Sequence, residues 1–134
     1  YLQRVRDVVL DDVRISGFGL GMHAIHGPIR GLVVRNSEIV RNRSMGLLVS
    51  VSDSRFEDSL YEGNNFSGSG FDHAIYLSRG NNNVVRGNRF LNNSVVAGQC
   101  RGGNFTLHGS SDGLLIENNT IEVPDASNSC YGFS

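Results

Sequence analysis

An eight-residue pattern recurs five times along this chain of 134 residues and constrains its fold more than any other feature. In each copy the third residue is large and apolar, the fourth is charged, and the eighth is Ile or Phe. The fifth and sixth residues are mostly Asn, Asp or Gly, which favour tight bends. The copies occupy residues 8–15, 32–39, 59–66, 83–90 and 114–121. Because side chains alternate between the two faces of a strand, the pattern predicts a short strand, a bend and a second short strand.

The copies end 24, 27, 24 and 31 residues apart, and a third apolar segment such as 45–49 or 74–77 lies between them. A β-type pattern at this period is typical of a solenoid. The sequence therefore predicts an all-β chain: a parallel β-helix of about five coils, each with three short strands. Large apolar residues of successive copies would then stack inside in one file. Asn36, Asn64, Asn88 and Asn118 (or its neighbour Asn119) would meet at the bend, either bonded from coil to coil or as simple turn residues.

The length fits one domain, a single β-helix segment over 1–134. The chain opens at Tyr1 without an initiator methionine, which favours a segment of a longer protein or a mature form after processing. The last period is the longest and predicts a loop insertion at about 94–104, and such insertions often lie on a binding face. Strand edges at both ends, with no capping helix in the sequence, favour either a missing flanking segment or end-to-end or lateral association of copies.

The charge is nearly balanced, at −1 for the whole chain, and every basic residue is arginine. This balance gives no electrostatic basis for binding nucleic acid. No apolar stretch approaches the length of a membrane-spanning helix. The expected partners are therefore neither nucleic acid nor a membrane interior.

The stretches Val-Val-Arg-Gly-Asn-Arg-Phe at 84–90 and Leu-Ile-Glu-Asn-Asn-Thr-Ile at 115–121 resemble the right-handed β-helix repeat of the pectate-lyase-like superfamily. The resemblance implies a right-handed coil and a carbohydrate-related function. Members include pectate and alginate lyases, mannuronan C5-epimerases, polygalacturonases, phage tailspikes and periplasmic carbohydrate-binding proteins. It also implies a secreted, periplasmic or cell-surface protein.

Candidate catalytic residues are His73, Tyr76 and Arg79, which offer a base, an acid and a cation on one coil. Uronate lyases and epimerases need these groups to move a proton at C5 and to stabilise the sugar carboxylate. Asp72-His73 resembles part of the Asp-Pro-His signature of mannuronan epimerases, without its proline. The structural alternative is a His73 bonded to backbone, with Tyr76 and Arg79 as ordinary surface residues.

Three further residues are expected to bind substrate: His26, Asp72 and His108. The sequence His-Ala-Ile occurs at 23–25 and again at 73–75, about two coils apart. If Ile25 and Ile75 both point inward, His26 and Tyr76 share a face about 10 Å apart, twice the strand spacing. These residues and the segment 94–104 would line a groove for an acidic polysaccharide.

Two functions from different classes remain open. The first is a polysaccharide lyase or C5-epimerase that acts on an acidic polysaccharide. The second is a non-catalytic glycan-binding, adhesin-like, tailspike-like or structural β-helix, which the incomplete catalytic set favours.

No cofactor is expected, although Ca²⁺ is the usual alternative aid to uronate chemistry. Asp53, Glu57, Asp58 and Glu62 cluster in sequence and offer carboxylates, but a solvated face explains them as well. His23 and His26 are expected to point to opposite faces of a strand, which disfavours a shared metal.

Cys100 and Cys130 lie at similar positions on consecutive coils. They form either a disulfide or two buried free thiols, and an exported protein favours the disulfide.

Overall fold

The computed structural model describes the backbone of residues 1–124 and 126–134, and their side chains except those of 126–129. The described residues form sixteen strands and no helix. In chain order the strands are β1 Val9–Asp11, β2 Arg14–Ser16, β3 Met22–Ala24, β4 Val33–Arg35, β5 Glu38–Val40, β6 Leu47–Val49, β7 Arg55–Glu57, β8 Leu60–Glu62, β9 His73–Leu77, β10 Val84–Arg86, β11 Arg89–Leu91, β12 Val95–Val96, β13 Gln99–Leu107, β14 Leu115–Glu117, β15 Thr120–Glu122 and β16 Ala126–Phe133.

The strands form three parallel sheets that run side by side along one axis. Sheet 1 is β1-β4-β7-β10-β14, sheet 2 is β2-β5-β8-β11-β15, and sheet 3 is β3-β6-β9-β13-β16. Each sheet takes one strand from every coil, so five levels are stacked with four full repeats between the first and the last. The predicted all-β parallel solenoid of about five coils is confirmed.

The interior is filled by files of apolar side chains that continue from coil to coil. The file in sheet 1 contains Leu10, Val34, Phe56, Val85 and Ile116. The file in sheet 2 contains Ile15, Ile39, Tyr61, Phe90 and Ile121. Phe56, Tyr61 and Phe90 have no exposed surface, and burial of such a side chain stabilises the fold by about 1.5–3 kcal/mol. The predicted stacking in one file is confirmed.

The third copy of the pattern was placed wrongly. The register pairs Phe56 with Val34 and Tyr61 with Ile39, so the third copy is 54–61 and not 59–66. The copies therefore end 24, 22, 29 and 31 residues apart. The error arose because residues 60–64 also contain large apolar residues, then a charged residue, then bend-forming residues. Every strand in a coil ends at a similar corner, so the pattern is not unique to one of them.

Polar side chains line each of the three corners and bond one coil to the next. At the corner between sheets 1 and 2 they are Ser37, Ser59, Asn88 and Asn119. At the corner between sheets 2 and 3 they are Asn42, Asn64 and Asn93, and Asn93 also donates to Asn104 in β13 of its own coil. At the corner between sheets 3 and 1 they are Ser54 and Asn83. A coil-to-coil ladder therefore exists at all three corners.

The predicted membership of the single Asn ladder was partly wrong. Asn88 and Asn119 do contact each other, with Nδ2 of Asn88 donating to Oδ1 of Asn119 at 3.0 Å. Asn64 instead belongs to the corner between sheets 2 and 3. Asn36 is exposed and donates to the carboxylate of Asp11 at 2.9 Å. The misplaced third copy moved Asn64 to the wrong corner, and Asn36 lies one residue before Ser37, which occupies the corner position equivalent to Asn88.

The outer face of sheet 1 carries a file of alternating charge. From first coil to fifth its members are Asp11, Arg35, Glu57, Arg86 and Glu117. Arg35 pairs with Asp11 at 2.8 Å and Arg86 with Glu117 at 2.6 Å. These pairs are solvent-exposed and contribute little stability each, and the alternation places opposite charges on adjacent coils.

Residues 94–104, predicted as a loop insertion, contain β12 and the beginning of β13, which pair in antiparallel fashion. They form a β-hairpin because Ala97 and Gly98 both adopt positive φ at the turn. Cys100 of this hairpin forms a disulfide with Cys130, with Cα atoms 5.4 Å apart. The alternative of two free thiols is therefore wrong. No helix among the described residues is long and apolar enough to cross a membrane.

The corner ladder predicts a stability defect in Asn64→Ala. Oδ1 of Asn64 accepts from the backbone N–H of Asn42, and its Nδ2 donates to the Ile39 carbonyl at 2.8 Å. Their loss leaves buried backbone groups unpaired, so we expect unfolding free energy to fall by at least about 2 kcal/mol in urea denaturation. Asn81→Ala is the control, because its Oδ1 accepts one N–H at an exposed corner. Equal losses in the two variants would contradict the ladder's role.

Candidate functional site

The outward side chains of sheet 3 include the sequence-predicted Tyr76. Its neighbours Ile75 and Leu77 point into the core, so alternation turns Tyr76 outward, where it is half-buried. The Tyr76 hydroxyl is hydrogen-bonded to Nδ1 of His108 on the next coil. The two rings meet edge to face with centroids 5.7 Å apart. His108 is exposed and directly follows β13, so this hydroxyl–imidazole pair is accessible to solvent from its histidine side.

His73 is buried behind this pair. Its exposed fraction is 8%, and its Nδ1 accepts a hydrogen bond from the backbone N–H of Gly103 at 3.2 Å. An accepting Nδ1 places the ring proton on Nε2 in the neutral form. Burial lowers the pKa of His73, and the nearby Asp72 carboxylate partly opposes this. The ring also stacks on Tyr76 with centroids 5.6 Å apart, so His73 holds Tyr76 in position.

Gly103 is required by this arrangement. A Cβ at this position would lie 2.7 Å from Nδ1 of His73. Any larger residue would push the imidazole away from the backbone N–H and from Tyr76.

Arg79 and His26, both predicted for the site, line one open groove. A depression of about 450 Å³ is formed by Ile25, His26, Gly27, Ser50, Ser78 and Arg79. It shares Gly27, Ser50 and Arg79 with a second depression of about 300 Å³, which continues to Arg30, Asn81 and Ser110. We call the two together the Arg79 groove. It runs along the corner between sheets 3 and 1.

The electrostatic character of the Arg79 groove is set by its arginines. Arg30 is paired with Asp53 at 2.6 Å. Arg79 is exposed, and no carboxylate of the described residues lies within ion-pair distance of it. The groove therefore offers one unpaired guanidinium among serine hydroxyls and an asparagine amide.

The hydroxyl–imidazole pair lies next to this groove. A Cβ on Gly109, the residue after His108, would be 3.8 Å from Cβ of Arg79. Gly80 follows Arg79 with φ +133, and a Cβ there would lie 1.7 Å from the carbonyl oxygen of Val51. Only glycine permits this close approach, so Gly80 sets the position of the corner that carries Arg79.

The predicted relation between His26 and Tyr76 was wrong. Registers in sheet 3 place His23, Leu48 and Tyr76 in one outward file. The two His-Ala-Ile motifs are therefore offset by three residues, since β3 aligns Met22, and not Ile25, with Ile75. His26 lies beyond the end of β3 and enters the Arg79 groove instead.

His23 and His26 were also expected on opposite faces, and this was wrong. Their rings contact edge to face with centroids 5.4 Å apart, and both contact the ring of Tyr1. Strand β3 ends at Ala24, so the alternation on which the expectation depended does not extend to His26. Burial and the neighbouring His26 lower the pKa of His23.

The remaining predicted residues occupy the margins of the site. Asp72 precedes β9, and its backbone carbonyl accepts a 2.7 Å hydrogen bond from the Asn65 side chain. Among the described residues, no group of three or more His, Cys, Asp or Glu side chains could hold a metal ion. Of the four clustered carboxylates, Asp53 is paired with Arg30 and Glu57 with Arg55.

Sequence reasoning missed Arg30, Ser50, Asn81 and Ser110, which line the Arg79 groove. Each follows a strand of sheet 3 by a few residues, at the corner whose length varies from coil to coil. Comparing the residues that follow the third strand of each coil would have identified them. The segment 94–104, expected to wall this groove, does not line it.

The lowered pKa of His73 predicts a pH-dependent stability. Its folded-state pKa lies below the unfolded value of about 6.5, so the unfolded chain takes up the proton first on acidification. The stability that neutral His73 contributes is fully present above about pH 6.5 and is lost as the pH falls below that value. We expect urea midpoints to drop more for the natural chain than for His73→Gln between pH 7 and 5. Parallel curves for the two proteins would contradict this account.

The sequence matches the family described as right handed beta helix region over residues 1–133. No curated protein and no solved structure shows a significant match to the chain. The match covers nearly the whole chain and agrees with the three parallel sheets, to which the antiparallel β12–β13 hairpin is a local addition. The chain is therefore a member of the right-handed β-helix family, as its repeats predicted.

Proposed function

We propose that this β-helix protein binds an acidic polysaccharide along the Arg79 groove. The observation that carries the proposal is the unpaired guanidinium of Arg79 at the point where the two depressions meet. A guanidinium binds a carboxylate through two parallel N–H donors, which suits a uronate side group. Because no carboxylate of the described residues pairs with Arg79, a ligand carboxylate would replace only water there.

The shape of the groove suits a polymer and not a compact ligand. Its lining comes from successive levels of the solenoid, at 27–30, 50–52, 79–81 and Ser110. Four levels at the ordinary strand spacing extend over roughly 14 Å along the axis. Ser50, Ser52 and Asn81 offer hydroxyl and amide groups that can bond sugar hydroxyls on both sides of Arg79.

A second candidate function is catalysis on that polysaccharide, as a lyase or C5-epimerase. The observation that favours it is the Tyr76–His108 hydrogen bond beside Arg79. With its proton held by His108, the Tyr76 oxygen can accept the C5 proton of a uronate whose carboxylate is bound by Arg79. For a lyase the C5–H and C4–O bonds break, a C4=C5 double bond forms, and the leaving oxygen takes a proton from Tyr76. For an epimerase the C5 carbanion takes a proton from water on its opposite face, and Tyr76 releases the abstracted proton to solvent.

The role of His73 changes in this proposal. It was expected as a catalytic residue, but its buried ring and occupied Nδ1 suit it to positioning Tyr76. His108, expected to bind substrate, takes the role of proton partner. The non-catalytic alternative, a glycan-binding, adhesin-like, tailspike-like or structural β-helix, uses the groove without this chemistry.

A location outside the cytosol is part of the proposal. The Cys100–Cys130 disulfide supports a secreted, periplasmic or cell-surface protein, since such bonds persist in oxidising compartments.

Arg79→Ala tests the binding proposal. We expect its affinity for polygalacturonate or alginate in isothermal titration calorimetry to fall by about 10-fold to 100-fold, because one charge-assisted contact contributes about 1.5–3 kcal/mol. Arg101→Ala is the matched control, an exposed arginine that bonds only Gln99 among the described side chains. Equal affinity for Arg79→Ala and the natural chain, or equal binding of neutral dextran, would exclude the proposed groove.

Tyr76→Phe and His108→Gln test catalysis separately from binding. In the natural chain we expect either the ultraviolet absorbance of an unsaturated uronate or exchange of the C5 hydrogen in D₂O, followed by NMR. Each variant should reduce that rate by about 10²-fold to 10⁴-fold, with binding retained. A natural chain that binds the polymer and yields neither signal is a non-catalytic glycan-binding protein.

A further inference from the structure

A third depression lies on another corner of the solenoid, between sheets 2 and 3. Arg41, Gly63 and Asn92 occupy equivalent positions on three successive coils, each just after a strand of sheet 2. All three have left-handed backbone conformations, with φ of 54, 61 and 52. Backbone bonds continue through the corner, with Arg41 N–H donating to Glu62 O at 2.8 Å and Gly63 N–H to Leu91 O at 3.0 Å.

The glycine at the middle level creates a gap in this row of side chains. Arg41 projects above it and Asn92 below it, two strand spacings or about 10 Å apart. The resulting depression has a volume of about 390 Å³ and is lined by Arg41, Glu62, Gly63, Phe66, Asn92 and Val95. We call it the Gly63 notch. Its volume lies at the low end for small-molecule sites, which suits a ligand of single-ring size.

The side walls of the Gly63 notch come from the two segments that lengthen the coils here. Phe66 belongs to the turn before β9 and is 50% exposed, and Val95 belongs to the β12–β13 hairpin. The two segments pack on each other, since a Cβ on Gly68 would lie 2.8 Å from the side chain of Val96. The extra residues of both coils therefore form one structure beside the notch.

The polar groups of the Gly63 notch are not used by the fold. Among the described residues, no hydrogen bond or ion pair engages the side chains of Arg41, Glu62 or Asn92. A guanidinium, a carboxylate and an amide are thus left to face solvent around an exposed phenyl ring. This is an arrangement of donors and acceptors about an apolar platform.

We propose that the Gly63 notch binds one uncharged pyranose ring. The C–H face of a pyranose packs on an aromatic ring such as Phe66, and its hydroxyls can bond both the donors of Arg41 and the acceptors of Glu62. The positive and negative side chains balance, and the Glu62 carboxylate disfavours a uronate. The notch is therefore selective for a neutral sugar, in contrast to the Arg79 groove at the corner between sheets 3 and 1.

Gly63→Asn fills the notch and leaves the fold intact. A Cβ there would meet Cγ of Arg41 at 3.6 Å, an ordinary contact, and asparagine tolerates the left-handed conformation, as Asn92 shows. Gly17→Asn is the matched control. Gly17 lies at the same corner one coil before Arg41, has φ +79, and has nothing within 4 Å of an added Cβ.

The probes are the methyl glycosides of glucose, galactose, mannose and N-acetylglucosamine, titrated into ¹⁵N-labelled protein. For at least one of them we expect saturable amide shifts at Gly63, Phe66 and Val95. Gly63→Asn should abolish these shifts and Phe66→Ala should weaken binding at least tenfold. Gly17→Asn and Arg79→Ala should leave binding unchanged.

The inference is overturned if no probe shifts these amides, if binding survives Gly63→Asn, or if methyl galacturonate binds the notch more tightly than every neutral probe. Because Arg79→Ala acts only on the other groove, failure of the acidic-polysaccharide proposal leaves this result unaffected, and the reverse also holds.

Discussion

The structure depends on side-chain amides and hydroxyls that replace missing backbone partners at the corners. A parallel coil turns three times per level, and at each turn the backbone N–H and C=O groups leave the regular sheet pattern. Asn64 shows the solution: its Oδ1 accepts from the coil above while its Nδ2 donates to Ile39 O and to Asn93. Buried unpaired groups would each cost about 1–3 kcal/mol, so these residues make a dry corner possible.

The dry corners position the functional surfaces. Since the corner residues hold each coil directly over the last, a side chain just past a strand falls at a repeatable place on the outside. Arg79 and Ser50 reach the same groove for this reason, and Arg41 and Asn92 flank one notch. Where a corner is lengthened, as at 65–72 and in the β12–β13 hairpin, the added residues form walls and leave the core unchanged.

The sequence predicts the fold well because the core files repeat in an unambiguous pattern of apolar and charged residues. It fails at the third coil because Leu60-Tyr61-Glu62 and Arg55-Phe56-Glu57 read alike, and only cross-coil pairing distinguishes them. The candidate site was found in part. Tyr76, His108 and Arg79 follow from their positions near strand ends, whereas the burial of His73 depends on Gly103 from another coil. The Gly63 notch required the correct third register, so no local pattern could have revealed it.

The alternating charges on sheet 1 restrict how a chain of this kind can gain or lose length. Removing the fourth coil alone would set Glu57 against Glu117, and removing the second alone would set Asp11 against Glu57. After removal of two adjacent coils, neighbouring members of this file still carry opposite charges. We therefore expect the gain or loss of two adjacent repeats to disturb this surface less than the gain or loss of one.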